Sequence, residues 1–247
     1  MSRLLLITVV LAATLASADP ALAQSVNIDL GTAGSAGATS RLVQITALIT
    51  ILSIAPSVLV MLTAFTRIVI VLSILRSAIG AQGTPPNMVL IGLAMFLTYF
   101  VMQPVLDQAW QSGLLPLSQG SLSELDGLRA TAEPFRKFML ANVREGDLQL
   151  FLDLGHLPAA PGPDQTEWRA LVPAFIIGEL RRGFEIGFLL YLPFLVIDMV
   201  VASVLQSLGM MMLPPSAVAL PFKLIFFVLV DGWRMVAGSL VQGFSPG

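Results

Sequence analysis

The chain has 247 residues, of which 56% are hydrophobic and 11% are charged. Soluble globular proteins carry about 25% charged residues, so this composition cannot cover a water-facing surface and indicates a membrane protein. The net charge of −2 gives no electrostatic basis for binding nucleic acid. The sequence has no cysteine, one histidine and no phosphate-binding GxxxxGK(S/T) loop. We therefore expect no enzymatic activity, no cofactor and no metal site.

The first 40 residues predict a processing signal followed by a leader. Arg3 precedes an apolar run that is too short to span a bilayer, and residues 21–23 read Ala-Leu-Ala, the small-x-small pattern that signal peptidase accepts. We predict a signal peptide over residues 1–23 and a flexible leader, rich in Gly, Ala, Ser and Thr, over residues 24–40. An uncleaved membrane anchor is the alternative.

Residues 41–106 predict the first pair of hydrophobic helices. No charge lies between Arg41 and Arg67, and the run from Leu42 to Thr66 is long enough to cross a bilayer, which takes about 20 residues. A second uncharged run follows, interrupted early by glycines and by two consecutive prolines. Because these residues break a helix, the second helix is expected to begin near Asn87.

Residues 107–170 form a polar region, which we expect to be helical and periplasmic. They hold nine acidic and five basic side chains, a net charge of −4. Two amphipathic helices are predicted here. The first would open at Glu133-Pro134, because proline is tolerated at the first helical position, and the second would contain Leu148 to Leu154.

The orientation follows from the charges that flank each predicted span. If the signal directs the amino terminus outward, the first helix ends on the cytoplasmic side, with Arg67 and Arg76 in a short connection as the positive-inside rule prefers. The second helix then returns the polar region to the periplasm. Arg181 and Arg182 do not fit this scheme, because they would lie near the outer end of the third helix.

Residues 171–247 predict a helical hairpin that carries charges in apolar surroundings. Helical spacing places Glu179 three residues before Arg182 and Arg182 three residues before Glu185, so the three can form a ladder on one face. Such charges are costly unless they are paired or wetted, and they normally face partner subunits or a water path. A solvated helix start is the alternative. The GxxxG spacing at residues 183–187 allows another helix to approach closely.

Two further ionisable residues lie within the hairpin itself. Asp198 is near the middle of a helix predicted over Ile186 to Leu208, and Lys223 lies in the helix that follows the turn. At 1.5 Å per residue they are about 16 Å and about 12 Å from the turn, so they can pair within one subunit or between two. A structural or assembly pair is favoured over a proton or ion path, because no third ionisable group lies near in sequence.

Three consecutive methionines, Met210, Met211 and Met212, occupy the turn of this hairpin. Thioether side chains are flexible, apolar and polarizable, and a ring of them could close around irregular shapes. Hydrophobic constrictions can block water and ions by dewetting. The sequence leaves two readings open: a compliant seal around an axis, or a loop resting in lipid headgroups or under another subunit.

The residues described above resemble the FliP/SctR family of export-gate proteins, which has a flagellar branch and a virulence-secretion branch. The resemblance runs from about Val43 to Phe244. One departure is Gly178, where the family usually has a small hydroxyl residue. The matching motifs are FTRIVIVLSILRSAIG (65–80), PPNMVLIGLAMFLT (85–98), PAFIIGELRRGFEIGF (173–188), LPFLVIDMVVASVLQSLGMMMLPP (192–215) and PFKLIFFVLVDGW (221–233).

The resemblance implies an all-α, polytopic membrane protein of helical hairpins, with about four hydrophobic helices and a small helical periplasmic region. It implies a subunit of the type III export apparatus in the bacterial inner membrane, at the flagellar basal body. In that family five such subunits assemble with FliQ and FliR into a cone largely above the membrane plane, through which unfolded substrates pass.

Within that family the methionine turn resembles a gasket around the closed pore. Glu179, Arg182, Glu185, Asp198 and Lys223 would then be contacts for assembly. A virulence-type export gate is the alternative to the flagellar one, and an independent ion or solute transporter is less favoured.

Overall fold

The computed structural model describes residues 45–46, 49–50, 53–54, 57–58, 60–81, 83–158, 166–210 and 212–244. The predicted signal peptide and leader lie outside these residues, as does much of the first hydrophobic helix. The chain divides into two compact units, residues 1–53 and residues 54–247. In the first unit the described residues are helical, and the Thr50 hydroxyl donates to the Thr46 carbonyl at 2.8 Å.

The second unit is helical throughout its regular structure, so far as residues 54–247 are described, and the all-α prediction is confirmed. Its elements are α1 (Phe65–Ile79), α2 (Asn87–Ala109), a π-helical turn (Trp110–Leu114), α3 (Leu115–Ser118), α4 (Glu124–Asn142), α5 (Glu145–Leu154), α6 (Trp168–Ser207), α7 (Pro215–Leu229) and α8 (Gly232–Gln242).

Two of the described stretches are long and apolar enough to cross a membrane. They are Asn87–Ser118, which runs from α2 through α3, and Trp168–Ser207, which is α6. A third span results if α7 and α8, bent by 61° at their junction, count as one. These helices agree with a helical membrane protein, and α2 begins at the predicted residue, Asn87.

The main core of this unit is built around α1, with buried side chains from α2, α6, α7 and α8. α1 buries one continuous apolar face that includes Ile68, Val71, Leu72 and Leu75, and it packs along α6. Gly80 ends α1 in the left-handed conformation, with φ of 77°, which glycine adopts without steric cost. The interface of α1 with α6 therefore determines where charges on α6 lie.

α4 begins ten residues earlier than the sequence predicted. Ser123 is its N-cap and accepts a hydrogen bond from the Asp126 amide at 3.2 Å, so the helix starts at Glu124 and Pro134 lies inside it. Proline has no N–H to donate to the Ala130 carbonyl. The Ser112 hydroxyl of the π-helical turn lies 3.3 Å from that carbonyl oxygen. A neighbouring element thus supplies the polar contact that makes an internal proline tolerable.

Two other predictions are corrected by the course of the helices. The helix predicted from Ile186 begins at Trp168, so α6 runs for 40 residues without a break. Arg67 and Arg76 were assigned to a connection between spans, yet both belong to α1. Arg76 donates to the Asn87 side chain at 2.5 Å, whereas Arg67 points into the core with 2% of its surface exposed.

Candidate functional site

Arg67, in the first turn of α1, and Glu179 of α6 form a buried ion pair. Nε of Arg67 donates to Oε2 of Glu179 at 2.8 Å, and Nη2 donates to Oε1 at 2.5 Å. The Arg67 side chain is 2% exposed and the Glu179 side chain is fully buried. This two-bond geometry matches the planar guanidinium to the carboxylate, and it is the arrangement that best compensates the loss of hydration on burial.

The chain segment after α8 completes the surroundings of this pair. Nη1 of Arg67 donates to the carbonyl oxygen of Gly243 at 3.0 Å, and the Phe244 ring covers the guanidinium with its centroid 3.6 Å from Cζ. Arg182 lies at the margin, with Nη1 3.9 Å from Oε1 of Glu179. Three segments that are far apart in sequence therefore meet at one buried charge pair.

The predicted ladder along α6 is formed only in its first step. Glu179 and Arg182 are near each other, but Glu185 contacts Arg181 at 2.9 Å and Arg144 of the α5 cap at 3.8 Å. No ion pair joins Arg182 to Glu185 among the residues the structure describes. The spacing of four residues between Arg181 and Glu185 gives the closer approach on this exposed side of the helix.

Asp198 of α6 and Lys223 of α7 contact each other across the hairpin. Nζ of Lys223 lies 2.6 Å from Oδ2 of Asp198 and also donates to the Ala78 carbonyl of α1 at 3.0 Å. Lys223 is buried, whereas a third of the Asp198 side chain is exposed. The contact predicted from their depths in the hairpin is present within one chain, and the last turn of α1 takes part in it.

Arg67 is the residue that the sequence interpretation missed. It was treated as a flanking charge of a membrane span because it follows a long uncharged run. A signal was available, since Arg67 shares a helical face with Val71 and Leu75, both of which are buried in the core. A charge at helical spacing with core residues indicates a buried partner, but it does not identify that partner.

Gly183 and Gly187 lie where α6 is closest to α1. A Cβ at Gly183 would be 3.2 Å from Cγ2 of Ile70, and a Cβ at Gly187 would overlap the Ile74 side chain. The GxxxG spacing therefore admits α1, and it does so between the two ion pairs. Small residues at this interface allow both pairs to form at hydrogen-bond distance.

The methionine turn joins α6 to α7. Gly209 opens it with φ of 72°, and two of the methionine side chains are exposed, Met210 at 45% and Met212 at 99%. Met211 lies outside the described residues. The tip of the hairpin thus carries flexible apolar side chains that make little contact with the rest of their own subunit.

This molecule is a helical membrane protein. Its long apolar helices are joined by ion pairs that include buried side chains. The FliP family model matches residues 48–240, and the chain belongs to the FliP family.

Relatives from three bacteria extend this match over most of the chain. The flagellar biosynthetic protein FliP of Caulobacter vibrioides is 55% identical over 228 residues, covering 92% of this chain and 85% of that protein. The protein of the same name from Rhizobium meliloti is 49% identical over 225 residues, covering 90% and 92%. That from Bacillus subtilis is 46% identical over 205 residues, covering 83% and 93%.

Proposed function

We propose that this protein is a pore-forming subunit of the flagellar type III protein export gate, through which unfolded flagellar substrates cross the inner membrane. The family to which the chain belongs makes it a component of the flagellar export apparatus. The observation that carries the finer proposal is the exposed methionine turn. Met212 is 99% exposed and Met210 is 45% exposed at the tip of a hairpin in a membrane protein.

In this proposal the turns of several subunits meet around one axis and close it. Unbranched thioether side chains can fill an irregular opening and move aside for a passing chain. When no substrate is present, a constriction of apolar side chains excludes water and ions. The subunit acts passively and is not an enzyme, so the energy for transport comes from other components.

The exposed apolar faces of α2, α6 and α7 are consistent with a role inside an assembly. A surface of this kind needs cover by lipid or by another protein. We assign it to contacts with other copies of the chain, in a pentamer, and with FliQ, FliR and other export-apparatus proteins. The exposed side chains include Met95, Phe96, Tyr99, Phe100, Phe184, Phe188, Val200, Ile225, Val228 and Leu229.

The proposal also includes a location and an orientation. The chain is in the inner membrane at the flagellar basal body, with its amino terminus periplasmic after removal of residues 1–23. Arg181 and Arg182 then contact packed subunits instead of lipid. Arg181 is 58% exposed and Arg182 is 32% exposed in the single subunit, so both guanidinium groups have surface left for such contacts.

The test is to replace Met210, Met211 and Met212 with alanine and to measure ion conductance of the assembled complex in a planar bilayer. We expect the complex to assemble at its normal size and to leak small ions, because alanine side chains are too short to close the opening. Met88, which is 81% exposed on α2, provides the matched control, since M88A removes an exposed methionine away from the turn. Unchanged conductance of the assembled triple variant would contradict the seal.

A further inference from the structure

Gly243 and Phe244, the two residues that follow α8, contact the Arg67–Glu179 pair from a third side. The Gly243 carbonyl accepts from Nη1 of Arg67 at 3.0 Å, and the Phe244 ring lies 3.6 Å from the guanidinium carbon. Phe244 is 5% exposed and belongs to the main core of the unit. We call these two residues the α8 latch.

The Phe244 ring also contacts an aromatic side chain of the polar region. Phe138 of α4 stacks on it, with ring centroids 6.0 Å apart and an interplanar angle of 22°. Phe138 also meets Phe175 of α6 edge to face, at 5.9 Å. The Phe244 ring therefore contacts both a buried cation and an aromatic side chain of α4, and it connects the ion pair to that helix.

The guanidinium of Arg67 needs both contacts that the latch provides. Two of its nitrogens donate to Glu179, and among the described residues the Gly243 carbonyl is the acceptor for the third nitrogen, Nη1. A buried donor without an acceptor is costly, and a buried cation gains from an aromatic face. Without the latch the ion pair would lose one hydrogen bond and the cover over one face.

We propose that the α8 latch holds α1 against α6, and that Gly243 and Phe244 are positioning residues acting through Arg67. The pair joins α1 to α6, but the latch follows α7 and α8 in the chain. The contact between the first and the sixth helix is thus completed only when the eighth helix has docked. The latch also makes opening of α1 depend on the position of α4, through Phe138.

A buried cysteine on α1 reports opening of this contact. Val71 is fully buried, one turn after Arg67, and the native chain has no cysteine to give background. In the purified full-length complex, V71C reacts with N-ethylmaleimide at a rate proportional to the open population. We expect F244A to raise this rate by more than about thirty-fold, because a desolvated cation–π contact alone corresponds to about 2 kcal/mol and the buried ring also loses its packing.

Two further variants distinguish the effect of the aromatic ring from the effect of side-chain size. F244L keeps an apolar side chain but has no aromatic face, so we expect it to raise the labelling rate about thirty-fold, whereas F244Y should label as slowly as the unmodified residue. If F244L labels as slowly as the unmodified residue, Phe244 only fills space and the proposal is overturned. This comparison also holds if F244A does not fold.

Two controls distinguish the latch from general loosening. A cysteine at Ala109, a buried position on α2 that lies in a different core cluster from Phe244, should keep its labelling rate when Phe244 is replaced. In an R67M/E179L background, which has neither charge of the pair, F244L should give no further acceleration at V71C, because the cation on which the ring acts is gone. Equal acceleration at both reporters, or equal acceleration with and without Arg67, would overturn the proposal.

Discussion

Two ion pairs are attached to α6, and they differ in how much water and protein surround them. Arg67 and Glu179 are buried, with side-chain exposures of 2% and 0%, and two hydrogen bonds join them. Lys223 and Asp198 are joined by one contact, and a third of the Asp198 side chain is exposed. The first pair is closed off by its own chain, while the second keeps a surface that another molecule can reach.

This difference indicates different uses for similar chemistry. A fully enclosed pair stabilises the fold of one subunit, because removing either partner leaves an unpaired charge buried in the core. A pair in which one side chain is a third exposed to solvent costs less to disturb within the subunit. Its free surface can contribute to contacts between subunits, which is the role that we propose for Asp198 and Lys223.

The largest expected effect comes from breaking the enclosed pair. E179Q leaves the Arg67 charge buried without a counterion, so we expect the subunit to lose about 3–5 kcal/mol of unfolding free energy. Thermal unfolding of the purified full-length chain in detergent measures the loss.

The double variant R67M/E179L is the control for this first prediction. Apolar side chains of similar size often replace a buried ion pair with little loss, so the double variant should recover most of the stability. If E179Q unfolds at the same temperature as the unmodified protein, the enclosed pair does not stabilise the fold.

For the Lys223–Asp198 pair we expect a smaller effect on the stability of the subunit and a larger effect on assembly of the complex. K223A and D198A should each give a folded subunit that fails to form the complex. Size-exclusion chromatography after detergent extraction measures this. R234A is the matched control, because Arg234 and Asp231 form an exposed pair at 3.9 Å. Recovery of a normal-sized complex from K223A or D198A would count against a role in assembly.

The smallest expected effect is a gain in stability from substituting Gly178, the residue before Glu179. Oδ2 of Asp147 is buried without a hydrogen-bond partner among the described residues, and it lies 3.5 Å from where a Cβ of Gly178 would be. In G178S the hydroxyl can donate to this oxygen, adding about 1 kcal/mol of stability. Both G178S and G178A gain from higher helix propensity than glycine. Alanine has the higher helix propensity of the two, so a melting temperature of G178S below that of G178A would show that Asp147 gains nothing from the hydroxyl.

Local sequence signals predicted those features that depend on neighbouring residues. The two prolines before Asn87 correctly indicated where α2 begins, because they cannot continue a helix. The depths of Asp198 and Lys223 could be counted from the turn, so their contact was predictable. The GxxxG spacing indicated a close helix contact but gave no indication that α1 would make it.

Features that depend on distant residues could not be read in this way. Arg67 and Glu179 are 112 positions apart, and only the packing of α1 on α6 brings them together. The contact of Gly243 with Arg67 spans 176 positions. The internal proline of α4 misled the prediction for a related reason, since the oxygen that it frees lies near Ser112 of another element.

The uninterrupted course of α6 has a consequence for the membrane around it. A helix of 40 residues is about 60 Å long at 1.5 Å per residue, whereas the hydrocarbon layer is about 30 Å thick. Even at a tilt of about 40°, the upper end of the usual range, such a rod rises about 46 Å. At least one end of α6 must therefore emerge from the acyl chains into the headgroups, water or surrounding protein.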